Sequence, residues 1–133
     1  MLIVGPSGVG KSALLRTITG LWPSGGGRIL HPAAQHMLFL PQQPYMMLGG
    51  SLRNQLLYPH LDRRIDDARM LEVLEQVNLP DLAERLGGLN NEQDWDRTLS
   101  MGEQQRLAFA RLLLTAPRFA FLDEATSALD LGN

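Results

Sequence analysis

Cysteine and long apolar runs are missing from this sequence of 133 residues. Without cysteine the chain has no disulfide framework, no thiolate zinc site and no cysteine nucleophile. No apolar run reaches the roughly 18 residues that a membrane-spanning helix needs. The apolar residues 1–4 meet Gly5-Pro6 at once and lack a basic flank, so they do not have the pattern of a signal peptide.

An excess of positive charge is also missing. Twelve Lys and Arg residues oppose fourteen Asp and Glu residues, which gives a net charge of −2. Because no global positive field is available to hold a nucleic-acid backbone, we expect no nucleic-acid partner. Hydrophobic residues make up 44% and charged residues 20% of the chain. This balance is typical of a globular protein, and the length allows one domain or part of one.

The order of apolar runs and helical patterns predicts an α/β fold. Short apolar runs that end at turn residues predict strands over residues 1–4, 28–30, 37–40 and 119–122. Apolar residues spaced by three and four, bounded by capping residues, Gly and Pro, predict helices over residues 11–20, 51–57, about 66–80 and 100–115. In the first helix, Ala13, Leu14, Leu15 and Ile18 are expected to face inward.

A glycine-punctuated loop joins the first predicted strand to the first predicted helix. Its residues match the phosphate-binding Walker A pattern: Gly5, Pro6, Ser7, Gly8, Val9, Gly10, Lys11 and Ser12. Backbone N–H groups of such a loop surround phosphate oxygens, and glycine removes the Cβ that would block them. We expect contacts to a nucleotide from Gly5, Ser7, Gly8 and Gly10. Lys11 should reach the β- and γ-phosphates, and the Ser12 hydroxyl should bind Mg²⁺.

Two carboxylates, Asp123 and Glu124, follow the last predicted strand. The carboxyl edge of an open α/β sheet is where such folds bind ligands. Asp123 is therefore a candidate to hold Mg²⁺, and Glu124 a candidate general base for an attacking water. Taken alone, the pair is better interpreted as a solvated acidic turn, and the phosphate loop is what favours the functional interpretation.

Ser100 begins the last predicted helix and has two interpretations. With Glu103 three residues later it forms the pattern of a capping box. Alternatively, Ser100 and the backbone of Gly102 form a second phosphate-binding helix end. The two interpretations are compatible, because a cap shapes the helix end that would bind the phosphate.

Five motifs in this order resemble those of an ATP-binding cassette (ABC) ATPase. They are the Walker A loop at 5–12, a Q-loop at Leu40-Pro41-Gln42, a signature at 99–104, a Walker B segment at 119–124, and a D-loop at Ser127-Ala128-Leu129-Asp130. The sequence of residues 20–23, 41–46, 50–53 and 57–59 is similar to the corresponding segments in one branch of the family. That branch holds the peroxisomal fatty-acyl half-transporters and their bacterial relatives, in which a permease is fused ahead of the cassette.

The resemblance implies a P-loop NTPase fold with an incomplete RecA-like core, formed by residues 1–48 and 106–133. Residues 49–105 would form the inserted α-helical subdomain that carries the signature and contacts the permease. It implies ATP hydrolysis with Mg²⁺ that drives transport at the cytoplasmic face of a membrane. Without the resemblance, residues 50–98 are only a generic amphipathic segment.

Several site residues are implied by the resemblance. Gln42 would contact Mg²⁺ or the attacking water, although alone it is only a polar residue in a proline-flanked loop. Ser100 and Gly102 would complete the ATP site of a second cassette, with two ATP molecules sandwiched between the two chains. Asp130 would lie at that interface. Together with Glu124 and Lys11, Gln42 completes the expected catalytic set.

The sequence departs from the family pattern in several places. In the signature, Met101 replaces a glycine and Glu103 a glutamine. The family's adenine-stacking aromatic residue, its switch histidine and the strand that follows the D-loop have no counterpart here, so the resemblance implies a gap in the sheet. A truncated, non-catalytic nucleotide- or partner-binding fragment is one alternative. A DNA-repair-type ABC ATPase is another, but the interval from Gln42 to Ser100 has neither heptads nor cysteines.

Overall fold

The structure, a computed structural model, describes residues 1–123 without the side chain of Asp96. Its elements in chain order are α1 (Lys11–Ile18), a 3₁₀ turn (Ala34–His36), β1 (Met37–Leu40), α2 (Leu52–Leu57), α3 (Asp67–Gln76), α4 (Leu82–Arg85), α5 (Trp95–Thr98), α6 (Met101–Thr115) and β2 (Phe119–Leu122). The two strands pair in parallel, with Met37 opposite Phe119 and Leu40 opposite Leu122. Parallel strands joined through helices agree with the predicted α/β class.

Side-chain caps set the starts of α2 and α3 near the positions where the sequence predicted helices to begin. Before α2, Ser51 Oγ accepts a hydrogen bond from the Asn54 N–H. Before α3, the Asp66 side chain accepts a hydrogen bond from the Arg69 N–H. A side-chain oxygen at this position satisfies an N–H group that the first helical turn leaves unpaired. The 3₁₀ turn and the single-turn helices α4 and α5 were not predicted, because they are too short to show a period.

The hydrophobic core of the described residues lies in the helical part of the chain and not beneath the sheet. Its fully buried members come from α2, α3, α5 and α6: Leu52, Leu56, Met70, Val73, Leu74, Trp95, Leu107 and Ala110. In β1 only Leu40 is buried. The amphipathic stripe predicted for α3 is therefore confirmed as a core face.

The prediction that α1 packs its apolar residues inward is wrong. No residue of α1 is buried, and the Leu14 side chain is 48% exposed. A helix buries an apolar stripe only where another layer covers it. Two strands of four residues form a sheet too narrow to cover this helix. The end of α1 is as predicted, because Gly20 follows it with φ of 77°.

Two predicted strands do not form within residues 1–123. Residues 1–4 and 28–30 are irregular, and Leu2 and Val4 are at least 80% exposed. A cavity of about 680 Å³ separates residues 1–3 from β2, where the resemblance implied a gap in the sheet. Apolar side chains favour a strand only when a neighbouring backbone is at hand to pair with it. Neither segment has such a neighbour among the described residues.

Candidate functional site

The loop of residues 5–12 leads directly into α1. Gly10 occupies the N-cap position with φ of 98°, and Gly8 has φ of 77°. Side chains rarely adopt this left-handed conformation, so the loop depends on glycine at both positions. The Lys11 ammonium lies across the loop, where Nζ donates to the carbonyl oxygens of Gly5 at 2.9 Å and Pro6 at 2.8 Å. The loop thus forms a closed turn at the positive end of an eight-residue helix.

Ser12 and Asp123 meet although 111 positions separate them in the sequence. Ser12 Oγ donates a hydrogen bond of 2.8 Å to Asp123 Oδ1. The Asp123 side chain is buried at 4% exposure, and its backbone N–H donates to the Leu40 carbonyl at 2.9 Å. The end of β2 is thereby fastened to the end of β1 and to the phosphate loop. A hydroxyl and a carboxylate in contact are oxygen ligands of the kind that Mg²⁺ prefers.

A cavity of about 670 Å³ opens beside this pair. Its lining includes Ser12, Arg16, Gln42, Trp95, Gln104 and Asp123. Its volume lies within the ~300–1,000 Å³ typical of small-molecule sites. The structure therefore brings three predicted site residues, Ser12, Gln42 and Asp123, to one cavity. Arg16, Trp95 and Gln104 were not singled out from the sequence, although Arg16 lies one helical turn beyond Ser12 on the same face of α1.

The described residues hold no cluster of three or more Asp, Glu, His or Cys side chains that could bind a metal. This arrangement fits Mg²⁺ bound together with a nucleotide, because such sites use one or two protein ligands and draw the rest from phosphates and water. Ser12, Asp123 and Gln42 are the residues of this cavity that could hold the ion.

The capping box predicted for α6 is confirmed. The Ser100 side chain accepts from the Glu103 N–H, and the Glu103 carboxylate accepts from the Ser100 N–H at 2.8 Å. Ser100 is exposed, and neither Ser100 nor Gly102 lines the cavity beside Ser12. Gly102 is half-buried, and Gln104, two residues further along α6, does line that cavity.

Glu103 also forms an ion pair with Arg85 of α4. Burial acts to raise the pKa of Glu103, but hydrogen bonds from Arg85 and from the backbone and side chain of Ser100 outweigh it. The pKa of Glu103 is therefore held below its ordinary value. The glutamate that replaces the usual signature glutamine thus ties the start of α6 to α4 as well as completing the cap.

A buried polar pair, Arg111 and Gln55, was missed from the sequence. Arg111 in α6 is 4% exposed and Gln55 in α2 is fully buried. Burial lowers the pKa of Arg111 to about 10, while Tyr58 and Tyr45 act to raise it, so the side chain stays charged at neutral pH. The spacing of Leu52, Gln55 and Leu56 carried a signal, because it places an amide on the apolar face of α2.

Two predicted site residues, Glu124 and Asp130, lie outside the described residues 1–123. Within that range, no helix is both long enough and apolar enough to span a bilayer. The division into residues 1–48 with 106–133 and residues 49–105 stays a prediction. The helix α6 runs without a break across that boundary and contributes Leu107, Ala110 and Leu114 to the helical core.

Comparisons with known proteins indicate the family of the chain. A family model described as ABC transporter matches residues 1–127. An uncharacterized ABC transporter ATP-binding protein of Synechocystis sp. is 59% identical over all 133 residues, which cover 20% of that protein. ATP-binding cassette sub-family D member 3 of Mus musculus is 46% identical over 136 residues, which cover 98% of this chain and 20% of the relative.

A solved structure of a bacterial Atm1-family ABC exporter with ATP bound is similar in fold. Its TM-score is 0.74 at 28% identity, and the match covers 96% of this chain and 24% of the exporter chain. The chain thus spans about a fifth to a quarter of the length of the relatives that it matches. The predicted P-loop NTPase fold of the ABC type is confirmed, and the chain belongs to the ABC transporter family.

Proposed function

We propose that this chain is the nucleotide-binding part of an ABC half-transporter, in which binding and hydrolysis of ATP drive transport across a membrane. The observation that supports it most strongly is the hydrogen bond of 2.8 Å between Ser12 and Asp123. It brings the Walker A loop and the end of the Walker B strand together at a cavity that Gln42 also lines. The matches to ABC transporter sequences favour transport over the DNA-repair alternative.

In this proposal the phosphate loop binds the triphosphate of ATP. The backbone of Gly5, Ser7, Gly8 and Gly10 surrounds the phosphates, and Lys11 turns from the loop carbonyls towards them. Ser12, Asp123 and Gln42 hold Mg²⁺, which neutralises charge on the phosphates when it is bound. Glu124, which follows Asp123 in the sequence, accepts the proton of the attacking water. Most of the rate then comes from positioning and electrostatics.

A second cassette is the proposed partner at the exposed end of α6. Ser100 and Gly102 lie outside the cavity beside Ser12, which supports a role in the ATP site of the opposite chain and not in their own. The exposed start of a helix offers unpaired N–H groups to a phosphate. Asp130 is proposed to lie at the same interface. A transmembrane permease, and a place at the cytoplasmic face of a membrane, complete the proposal.

A Glu124→Gln variant of the intact protein tests the proposed chemistry. Without the base, we expect turnover to fall by at least about 100-fold while ATP still binds, because general-base catalysis contributes ~10²–10⁴-fold. Phosphate release and nucleotide titration measure the two effects separately. Glu84→Gln makes the same change on the exposed surface of α4 and should leave both unchanged. An unaltered rate in Glu124→Gln would contradict the base assignment.

The same two assays separate the truncated, non-catalytic alternative. A parent protein that binds ATP and releases no phosphate would support that alternative. A parent that fails to bind Mg-ATP would overturn the proposed function altogether. Turnover that depends on Glu124 is the result expected for a transport ATPase.

A further inference from the structure

Arg111 is a buried cation whose direct partners are neutral. Its Nε donates to the Gln55 carbonyl at 2.6 Å, Nη2 to Gln55 Oε1 at 2.7 Å, and Nη1 to the Tyr45 carbonyl at 2.6 Å. The guanidinium carbon also lies 5.5 Å from the centre of the Tyr58 ring. Only the rigid fork of arginine presents several donors in this geometry, and the aromatic face adds a cation–π contact.

Gln55 extends this contact to the chain segment that follows Tyr45. Its Oε1 accepts from the Met47 N–H at 3.1 Å, and its Nε2 donates to the Met47 carbonyl at 2.9 Å. The side-chain amide therefore pairs with both backbone groups of one residue. Arg111 and Gln55, which we call the clamp, together fix both ends of the segment Tyr45–Met47 against α2 and α6.

The clamped segment begins three residues after Gln42. On the other side, the Leu40 carbonyl is fixed because it accepts from the Asp123 N–H at 2.9 Å. Pro41 and Pro44 lie between the two anchors, and each restricts its own backbone and that of the residue before it. Four residues, 41–44, lie between the two anchors and two of them are proline, so the backbone around Gln42 has few freely rotating angles. The position of Gln42 therefore depends on both anchors.

We propose that the Arg111–Gln55 clamp positions Gln42 against the Ser12–Asp123 pair. The inference rests on the proposed function, since Gln42 acts there on Mg²⁺ or the attacking water. Arg111 and Gln55 are positioning residues and contact neither the nucleotide nor the metal. Because the clamp joins α2 and α6 to the loop that carries Gln42, a displacement of these helices moves Gln42 with them.

Hydrogen exchange of backbone amides in the intact protein tests the clamp. In Gln55→Leu the Met47 N–H loses its acceptor, so we expect exchange over residues 43–48 to rise about tenfold, the effect of one lost hydrogen bond. Arg111→Lys should do the same, because lysine lacks the fork. Exchange within α1 should stay unchanged. Unchanged exchange over residues 43–48 in both variants would overturn the clamp.

Arg63→Lys is the matched control. Arg63 Nη1 donates to the carbonyl oxygens of Leu114 at 3.4 Å and Thr115 at 3.0 Å, so it too is an arginine bound to α6. It makes no hydrogen bond or ion pair with the segment Tyr45–Met47. The same substitution there should leave exchange over residues 43–48 as in the parent. An equal rise in amide exchange over residues 43–48 in Arg63→Lys would contradict the inference that Arg111 and Gln55 act on this segment specifically.

Turnover measured with and without Gln42 tests the positioning role. We expect Arg111→Lys to lower kcat about tenfold with KM nearly unchanged, and to have no further effect in a Gln42→Ala background, because its target is gone. The same loss in both backgrounds would indicate a general structural effect and overturn the role. If Arg111→Lys does not fold, Gln55→Glu replaces it, since it keeps the oxygen for Arg111 but loses the donor to Met47.

The two measurements distinguish failure of the inference from failure of the proposed function. A parent protein without ATP turnover would overturn the proposed function and, with it, the role of the clamp in positioning Gln42 for catalysis. Turnover in the parent that is insensitive to the clamp would overturn the inference alone. Amide exchange reports on the clamp itself in either case.

Discussion

At the scale of single residues, one hydrogen bond connects two groups that lie 111 positions apart in the sequence. The Ser12 hydroxyl donates to a buried carboxylate, and the Asp123 backbone is held by β1. A buried charge is tolerated only when polar partners surround it. The Ser12 hydroxyl is such a partner for Oδ1, and the second carboxylate oxygen is the one proposed to face a ligand. The charge of Asp123 is therefore the feature to test.

Asp123→Asn should weaken the dependence of nucleotide binding on Mg²⁺. The amide oxygen can still accept from Ser12, but the charge that attracts the ion is lost. Interactions of charged groups contribute ~1.5–3 kcal/mol, which corresponds to about 10- to 100-fold in affinity at ~1.4 kcal/mol per tenfold. Titrations with Mg-ATP, and with ATP in the presence of a chelator, measure the two affinities. Only the affinity for Mg-ATP should change.

Asp94→Asn is the control for this prediction. Asp94 precedes α5, is exposed, and makes no side-chain capping hydrogen bond. The substitution removes the same charge from the surface and should alter neither titration. Equal binding of Mg-ATP by Asp123→Asn and the parent would contradict a metal-binding role for Asp123.

At the scale of elements, the start of α6 is held by a cap and by a second helix. Glu103 closes the capping box on Ser100 and pairs with Arg85 of α4. Because the pKa of Glu103 is lowered in the folded chain, the carboxylate stabilises the fold above the ordinary Glu pKa. That contribution is lost as the pH falls through the lowered value.

Glu103→Gln should lower the thermal midpoint at neutral pH, and the difference from the parent should shrink as the pH falls below about 4.3, the ordinary Glu value. Loss of a cap costs about 0.5–2 kcal/mol, which is a few degrees in a domain of this size. Thermal melts of the intact protein across pH measure it. Glu75→Gln, on the exposed face of α3, is the control and should show no such difference.

A constant difference between Glu103→Gln and the parent from neutral to acid pH would contradict this account. It would mean that packing, and not the charge of Glu103, stabilises the start of α6. Ser100→Ala, which removes the other half of the cap, should lower the midpoint by a similar amount. Only part of its effect should persist at low pH, because Ser100 Oγ accepts from the Glu103 N–H at any pH but also donates to the Glu103 carboxylate, and this second contribution is lost when Glu103 is protonated.

At the scale of the whole molecule, the described chain has a helical part that contains the hydrophobic core and a sheet of only two strands. The core between α2, α3 and α6 holds the helical part together. The site lies where the two parts meet, because its cavity is lined by α1, the loop after β1, α5 and α6. The packed core therefore lies on one side of the cavity, and on the other side lies a phosphate loop whose own helix has no buried residue.

Leu74→Ala and Leu71→Ala compare the two faces of α3. Leu74 is fully buried and Leu71 is 45% exposed. A leucine truncated in a packed core costs ~2–5 kcal/mol, whereas exposed substitutions usually cost less than about 0.5 kcal/mol. Denaturant midpoints measure the difference in the intact protein. Similar losses of stability in the two variants would contradict the position of the core.

The sequence alone determined the features that depend on residues close together in the chain. The glycine spacing of the phosphate loop, the caps at Ser51 and Ser100, and the apolar stripe of α3 act across a few positions, so their patterns were visible. Strands β1 and β2 were predicted for the same reason. The order of the five motifs was specific enough to indicate the family by itself.

Tertiary structure alone decided which distant groups meet. Apolar residues 1–4 form no strand, because a strand requires a neighbouring backbone that no local pattern supplies. Ser12 meets Asp123, and Arg111 meets Gln55, across 111 and 56 positions. A polar side chain is buried only where distant partners satisfy it, so its role becomes apparent only once the chain is folded.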